Sequence, residues 1–373
     1  MKIGIDARLL ENMRGGPARY VINMLKLWPE ISKKHEYVLY FKDHIPQDDF
    51  LQRSEFTSKK VNCPSLPYSF IPWEHIFLPA AVKKDRLDLF FSPWYMLPYR
   101  FQCPKKVVAA WDISYTTHPS HYRWHVQKYW HFFSKNACQQ SNGIITCSYF
   151  DGSQIEKFYD IDASKICVVH LATEDKFIPL SDSTPIHSFK KKNNLPQSYL
   201  LSFGTIYNRR CMDVIINAFK QIHQEFPEIG LVIIGRNHTS PKIDIKKMIE
   251  PLKQKGQCVY MERCPEEDLV AMYNGASWYV CVSDCDGETI QIKEAMKCGT
   301  AVITSPLLQE ISGDNALIIQ DPTNVSQTSA AFRKAFSSPD LREDLAQKGR
   351  LWVEQYRWPT IAQKSLEFIE SIK

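Results

Sequence analysis

Two carboxylates and the glycine after the first stand out in the stretch DCDGETIQIKEAMKCGTAVITS, residues 284–305. Asp286 and Glu294 are eight residues apart, one ahead of a predicted helix and one inside it. The run WYVCV reads as a strand, so Asp284–Glu288 lies at its carboxyl end, Ile290–Cys298 as the helix that follows, and Gly299 as its stop. The first turn of such a helix presents free N–H groups and a partial positive charge, which suit a phosphate or the oxygens of a sugar. A carboxylate accepts hydrogen bonds from two neighbouring hydroxyls, so a sugar or a ribose is its natural partner. The plainer reading is a solvated loop before a surface helix. Gly287 and the apolar AVIT strand favour a tight strand–loop–helix unit instead.

Two further loops have the same grammar. GTIYNRRCMDVIINAF, from Gly204, ends a strand in glycine and puts Arg209 and Arg210 on a short polar loop before a helix. Two guanidiniums there can clamp a diphosphate bidentately, although an Arg pair is also ordinary surface charge. RGGPARYV, residues 14–21, follows the first predicted strand. Gly15 and Gly16 let backbone approach a ligand, and Pro17 suits a helix start. The loop is not GxGxxG, which counts against a nicotinamide dinucleotide. Asp284 and Asp286 have the DxD spacing of a metal site, to be weighed against a role in the loop itself.

These loops need strands and helices to hold them. Lys2–Asp6, Tyr37–Phe41, Asp88–Phe91, Val107–Ala110 and Gly143–Cys147 read as short buried strands. So do Tyr199–Phe203, Gly230–Ile234, Val259–Met261, Trp278–Val282, Ala301–Thr304 and Ala316–Ile319. Helical stretches such as Ala18–Trp28 fall between most of them, and that alternation predicts parallel sheets covered on both faces, an α/β class. The alternation breaks at LSDSTPIHSFKKKNNLPQ, which is polar, lysine-rich and proline-bearing. The expected organisation is an N-terminal α/β domain over 1–178, a linker over 179–194, a C-terminal α/β domain over 195–355 and a helix over 356–373. Doubly wound sheets bind ligands beyond the carboxyl ends of their strands, so a cleft between two facing domains is the expected site.

Composition narrows the class. The chain has 373 residues, 44% of them apolar, and a net charge of +5. Residues 1–180 carry 23 Lys and Arg against 18 Asp and Glu, while residues 181–373 carry 23 of each. A mildly basic N-terminal half suits an anionic membrane surface or a phosphorylated acceptor, or is ordinary solvated surface. It lacks the clustered stripe of a nucleic-acid-binding protein. Eleven scattered cysteines with no CxxC pair read as buried free thiols in a reducing compartment. No apolar run reaches membrane-spanning length, and the N-terminus turns polar too soon for a signal peptide. The expected location is cytoplasmic, with a peripheral contact at the inner face of the membrane left open.

Taken together, the motifs closely resemble retaining glycosyltransferases of family 4, the group 1 glycosyltransferases of GT-B fold. The family pattern EGFGLPxLEAMACGxPVI aligns without gaps on DGETIQIKEAMKCGTAVI. GTLxPRKN matches GTIYNRRC, ADxIIxxSxFS matches SNGIITCSYFDGS, DEELxxLYxxA matches EEDLVAMYNGA, and xPExxGDxAL matches LQEISGDNAL. The resemblance covers nearly the whole chain. It implies two facing Rossmann-like domains with parallel sheets and a C-terminal helix crossing back.

The resemblance also implies roles. Glu294 holds the donor's ribose, Asp286 contacts the donor sugar, and Gly287, Glu288, Thr289 and Ile290 offer backbone to sugar and phosphate. Arg209 and Arg210 bind the diphosphate, with the Gly15–Gly16 loop approaching it from the other domain. Asp112 is a further catalytic candidate at a strand end. The chain departs from the pattern at Asp286, where the family has Glu, and at Gln291, where it has Pro. In WDISYTTHP, Trp111 stands where the family has a His placed to donate to the donor sugar or phosphate, and its indole N–H is expected to do part of that while the ring walls the sugar pocket. His118 lies seven residues on, and Trp73–Glu74–His75 matches a structural family segment.

The expected activity is transfer of a sugar, mannose favoured, from a nucleoside diphosphate sugar, GDP-mannose first, to a hydroxyl of a glycan or lipid-linked acceptor in surface polysaccharide synthesis. No metal, no cofactor besides the donor substrate, and no nucleic-acid partner are expected. The alternative is a catalytically weak nucleotide-sugar-binding subunit of a GT-B complex.

Overall fold

The computed structural model describes residues 1–12, 15–64, 68–285 and 287–372. It divides into two compact units. The first holds residues 1–119, 124–171 and 357–373, and the second residues 120–123 and 172–356.

The first unit is built on β1 (Lys2–Asp6), β2 (Glu36–Phe41), β3 (Phe56–Lys60), β4 (Leu89–Ser92), β5 (Lys105–Ala109), β6 (Gly143–Thr146) and β7 (Ile166–Val168). They form one parallel sheet in the order β3-β2-β1-β4-β5-β6-β7. Central strands such as β1, with residues 3–6 buried, are continuous apolar runs because helices cover both faces. Helix Trp358–Ser371 belongs to this unit, although it ends the chain. The Trp28 indole donates to the Ala362 carbonyl at 3.1 Å, and Gly143 leaves room for Phe368 and Ile372, whose side chains a β-carbon there would strike.

Arg8 organises the interior near the end of β1. It bonds Asp6 at 2.6 Å and Glu74 at 2.9 Å, and its guanidinium lies 4.9 Å from the Trp73 ring centroid. Both carboxylates are 1% exposed, so the Trp73–Glu74 segment is part of the core. Its neighbour His75 stacks on Phe133 at 4.3 Å and accepts the Tyr99 N–H on Nδ1 at 3.2 Å. Burial, with the Arg8 charge second, pulls His75 down from 6.5 to about 4.

The fold therefore keeps this ring neutral, while the unfolded chain takes up a proton below about pH 6.5. The contribution of His75 to stability is fully present above that pH and falls as pH drops through the window from 6.5 to about 4. The urea midpoint is expected to be lower at about pH 5 than at about pH 7, and His75→Gln to shrink the difference. An unchanged difference in the variant would remove His75 as its source.

The second unit contains β8 (Ser198–Phe203), β9 (Ile229–Ile234), β10 (Cys258–Met261), β11 (Trp278–Cys281), β12 (Val302–Thr304) and β13 (Leu317–Ile318). All pair in parallel in the order β10-β9-β8-β11-β12-β13. Alternate residues serve the two faces, as the pleat requires. Leu200, Trp278 and Val280 join one core with Ile215 and Phe219, whereas Tyr199, Leu201 and Tyr279 join another with Ile292 and Met296. The chain leaves β8 toward one edge and β11 toward the other. That reversal makes β8 and β11 the switch point.

The stretch read as a linker is partly helical. Thr184–Lys192 forms a helix whose Phe189 is 2% exposed and packs into the second core. Its polar, lysine-rich face masked the single apolar anchor.

Candidate functional site

The arginine loop follows β8 and the acidic loop follows β11, so both predicted motifs open from adjacent strands at the switch point of the second unit. The helices they lead into, Met212–Ile222 and Ile290–Lys297, pack on opposite faces of the sheet, leaving the loops over the crevice. Gly204 ends β8 at φ 128°, and a β-carbon on Gly235 would sit 1.8 Å from its carbonyl oxygen. Only glycine allows this backbone crossing.

Specific bonds tie the two loops together. The Asp284 N–H donates to the Arg209 carbonyl at 3.2 Å. Arg210 Nη1 donates to Thr289 Oγ1 at 2.8 Å and lies 3.0 Å from Cys281 Sγ. The Arg209 guanidinium stacks over Tyr207 at 4.3 Å from the ring centroid. Thr289 is the N-cap of helix Ile290–Lys297, but its side chain makes no capping bond. Its hydroxyl serves Arg210 instead, so the first turn of the helix is fixed beside the half-buried Arg210 guanidinium, with the half-buried Arg209 next to it in the chain. Such an arrangement favours a polyanion.

Glu294 lies in this helix at 1% exposure and accepts a 2.7 Å hydrogen bond from the Tyr273 hydroxyl on Oε2. Burial, with the Glu294 charge second, pushes the Tyr273 hydroxyl well above its ordinary pKa, which keeps it a donor. Tyr273 is the tyrosine of EEDLVAMYNGA, so the signal was in a quoted motif without a role attached. The Gly287–Ile290 segment sits at the head of the same helix, with Gly287, Thr289 and Ile290 buried. The Glu288 side chain, 3% exposed, pairs with Lys293 at 2.8 Å. These two charges occupy positions where the family pattern has Phe and Leu, and sequence reading assigned the pair no contact. Asp286 lies outside the described residues.

In the first unit, helix Gly15–Ile31 begins at the paired glycines, with Gly15 at φ 82° and Gly16 facing Leu171. Arg14 lies outside the described residues. Asp112 accepts from Ser114 N at 2.9 Å and Ser114 Oγ at 2.6 Å on one oxygen, and from Tyr95 OH at 3.0 Å on the other. It thereby braces the turn into helix Ser114–Thr117. His118 bonds its neighbour Thr117 at 2.9 Å.

Trp111 corrects an expectation. Motif position suggested an indole N–H free to meet a donor sugar, yet Nε1 donates to the Pro93 carbonyl at 2.9 Å. The ring is 5% exposed and meets Tyr20 edge-on at 5.0 Å. It is a core residue because the large ring gains more from packing than a histidine would.

Comparison with known proteins gives the family and the fold. The family described as Glycosyl transferases group 1 matches residues 183–352, and Glycosyltransferase Family 4 matches residues 14–176. The chain belongs to the family 4, group 1 glycosyltransferases. It is 25% identical to O-antigen chain mannosyltransferase B of Escherichia coli, over 98% of each chain. The fold is GT-B. Sucrose-phosphate synthase from Thermosynechococcus elongatus superposes with a TM-score of 0.75 at 16% identity, covering 99% of this chain and 98% of that one. Anabaena HepE, solved with UDP and glucose, gives 0.72 at 14% identity and full coverage of both.

Proposed function

We propose that the protein is a retaining hexosyltransferase that moves mannose from GDP-mannose to a hydroxyl of a glycan or lipid-linked acceptor in surface polysaccharide synthesis. The observation that carries this reading is the pair of loops at the β8/β11 switch point, locked by the Arg210–Thr289 bond. The diphosphate lies against Arg209, Arg210 and the first turn of helix Ile290–Lys297. Glu294, oriented by Tyr273, takes the ribose, and Asp286 takes the donor sugar. The first unit reads the acceptor. The end-to-end likeness to an O-antigen mannosyltransferase supports mannose.

In chemical terms, the glycosidic C–O bond to the diphosphate breaks and negative charge develops on the leaving phosphate. Two guanidiniums and a helix N-terminus stabilise that charge without a metal ion. Retention follows when the acceptor hydroxyl attacks on the face the diphosphate leaves, its proton passing to the leaving phosphate. Asp112, braced by Ser114 and Tyr95, holds the turn on the acceptor side. The protein works in the cytoplasm. Among the described residues no helix is long and apolar enough to cross a membrane.

The test is nucleoside diphosphate release from a panel of nucleotide sugars with and without excess chelator. GDP-mannose is expected to give the highest rate, unchanged by EDTA. Loss of activity in EDTA with recovery in manganese would make Asp284 and Asp286 a metal site. Donor binding without any release would favour the nucleotide-sugar-binding subunit.

A further inference from the structure

Cys281 is the last residue of β11, at the strand end from which the acidic loop opens. Its backbone is fixed by the neighbouring strand, where it pairs with Thr304, whose hydroxyl donates to the Cys281 carbonyl at 2.7 Å. Its side chain is buried in the core that holds Tyr279 and Ile292. Arg210 Nη1 donates to this sulfur at 3.0 Å and to Thr289 Oγ1 at 2.8 Å. A guanidinium Nη carries two N–H groups, and here its two acceptors come from a central strand and from the head of a helix. Two fixed acceptors on one nitrogen of a planar group set the plane of the whole guanidinium. They also remove rotamer freedom that ligand binding would otherwise have to take away.

The three residues match one another across separate motifs. Arg210 stands where GTLxPRKN has Lys, and Thr289 where EGFGLP has its second Gly. A lysine ammonium is a compact charge with rotatable donors, so it meets phosphate from many directions without being aimed. A guanidinium presents its donors in one plane, so its orientation decides which contacts it makes. Glycine at 289 would offer Arg210 no hydroxyl. Thr289 supplies one acceptor, and the Cys281 sulfur, on a small side chain that admits the guanidinium, supplies the other. Core filling alone would be served by an aliphatic side chain, which could not accept the Arg210 N–H.

We propose that Cys281 is a positioning residue: with Thr289 it holds the Arg210 guanidinium in the plane that meets the diphosphate. This rests on the reading of the crevice as the nucleoside diphosphate site. A guanidinium aimed in advance needs no reorganisation as charge grows on the leaving phosphate. Loss of the sulfur therefore weakens nucleotide binding and slows turnover by a larger factor.

The test is a double-mutant cycle on the full chain between Cys281→Ala and Arg210→Lys, read by calorimetric titration with GDP and UDP and by initial rates. Cys281→Ala alone is expected to raise Kd about threefold to tenfold, the range for one ordinary hydrogen bond, and to lower kcat further. In the Arg210→Lys background the same change is expected to leave both quantities within about twofold, since an ammonium has no plane to lose. Cys281→Ser keeps an acceptor and is expected to recover most of what Cys281→Ala loses. A packing role would lower Tm and give the same change in both backgrounds, without rescue by serine. Equal effects in the two backgrounds, wild-type Kd in Cys281→Ala, or a serine variant no better than alanine would overturn the proposal. If nucleotide binds without turnover, the Kd cycle alone decides. A wild-type chain that binds neither GDP nor UDP would overturn the reading of the crevice itself, and the proposal with it.

Discussion

Arg209→Ala and Arg210→Ala are each expected to weaken nucleoside diphosphate binding by about 1.5–3 kcal/mol, roughly tenfold to 150-fold, the range for a charged hydrogen bond. The larger loss belongs to Arg210. Its guanidinium holds Thr289 Oγ1 at 2.8 Å, so its removal also loosens the first turn of the helix offered to the diphosphate. Arg209 stacks on Tyr207 and contributes mainly its own charge. Arg210→Lys keeps the charge but loses the planar fork, so it is expected to recover only part of the affinity. Turnover falls further than affinity in both Ala variants, because charge on the leaving phosphate grows toward the transition state. Calorimetric titration with GDP and UDP, beside initial rates, measures both quantities. Wild-type affinity in both Ala variants would mean that the diphosphate lies elsewhere.

How much of this was legible in sequence depends on how local the cause was. The central strands were, because strands covered on both faces are continuous apolar runs such as YLLSF and LVII. Two strands were missed. β3 reads FTSKK and sits at a sheet edge, where one flank is free and polar residues are tolerated. β7, at the opposite edge, is three residues long. Arg209, Arg210 and Glu294 could be singled out as candidates because the segments they sit on follow strands and their chemistry is carried by residue type. Tyr273 was not given a role, since only the fold brings a helix from residues 269–275 against Glu294. Trp111 was misjudged for the converse reason. Its position in a motif was visible, but the Pro93 carbonyl that takes its N–H is 18 residues away in sequence.

The Glu288–Lys293 pair was the least legible feature and leads to the second large effect. A spacing of five residues, with Glu288 ahead of the helix, is no helical signature. In the structure the two side chains are 3% and 1% exposed, 2.8 Å apart, with the Lys293 ammonium 3.9 Å from the Tyr356 ring centroid. Two charges taken from water face each other there in an ion pair. Lys293→Met removes this partner of the Glu288 carboxylate, and Glu288→Gln removes this partner of the ammonium. Each is expected to cost about 3–5 kcal/mol of stability, the usual penalty for breaking a buried ion pair from one side. Glu288→Phe combined with Lys293→Leu installs the residues of the family pattern. A packed apolar pair escapes the desolvation cost, so the double variant is expected to regain most of what either single variant loses. Denaturant unfolding of the four proteins measures the coupling directly. Single variants as stable as wild type would show that water reaches the pair. A double variant no better than the singles would mean that the Tyr356 contact, rather than charge pairing, fixes Lys293. The pair also bears on function, since it joins the loop at Gly287–Thr289 to the helix carrying Glu294. Loss of either charge therefore lowers nucleotide affinity together with stability, whereas the double variant restores both.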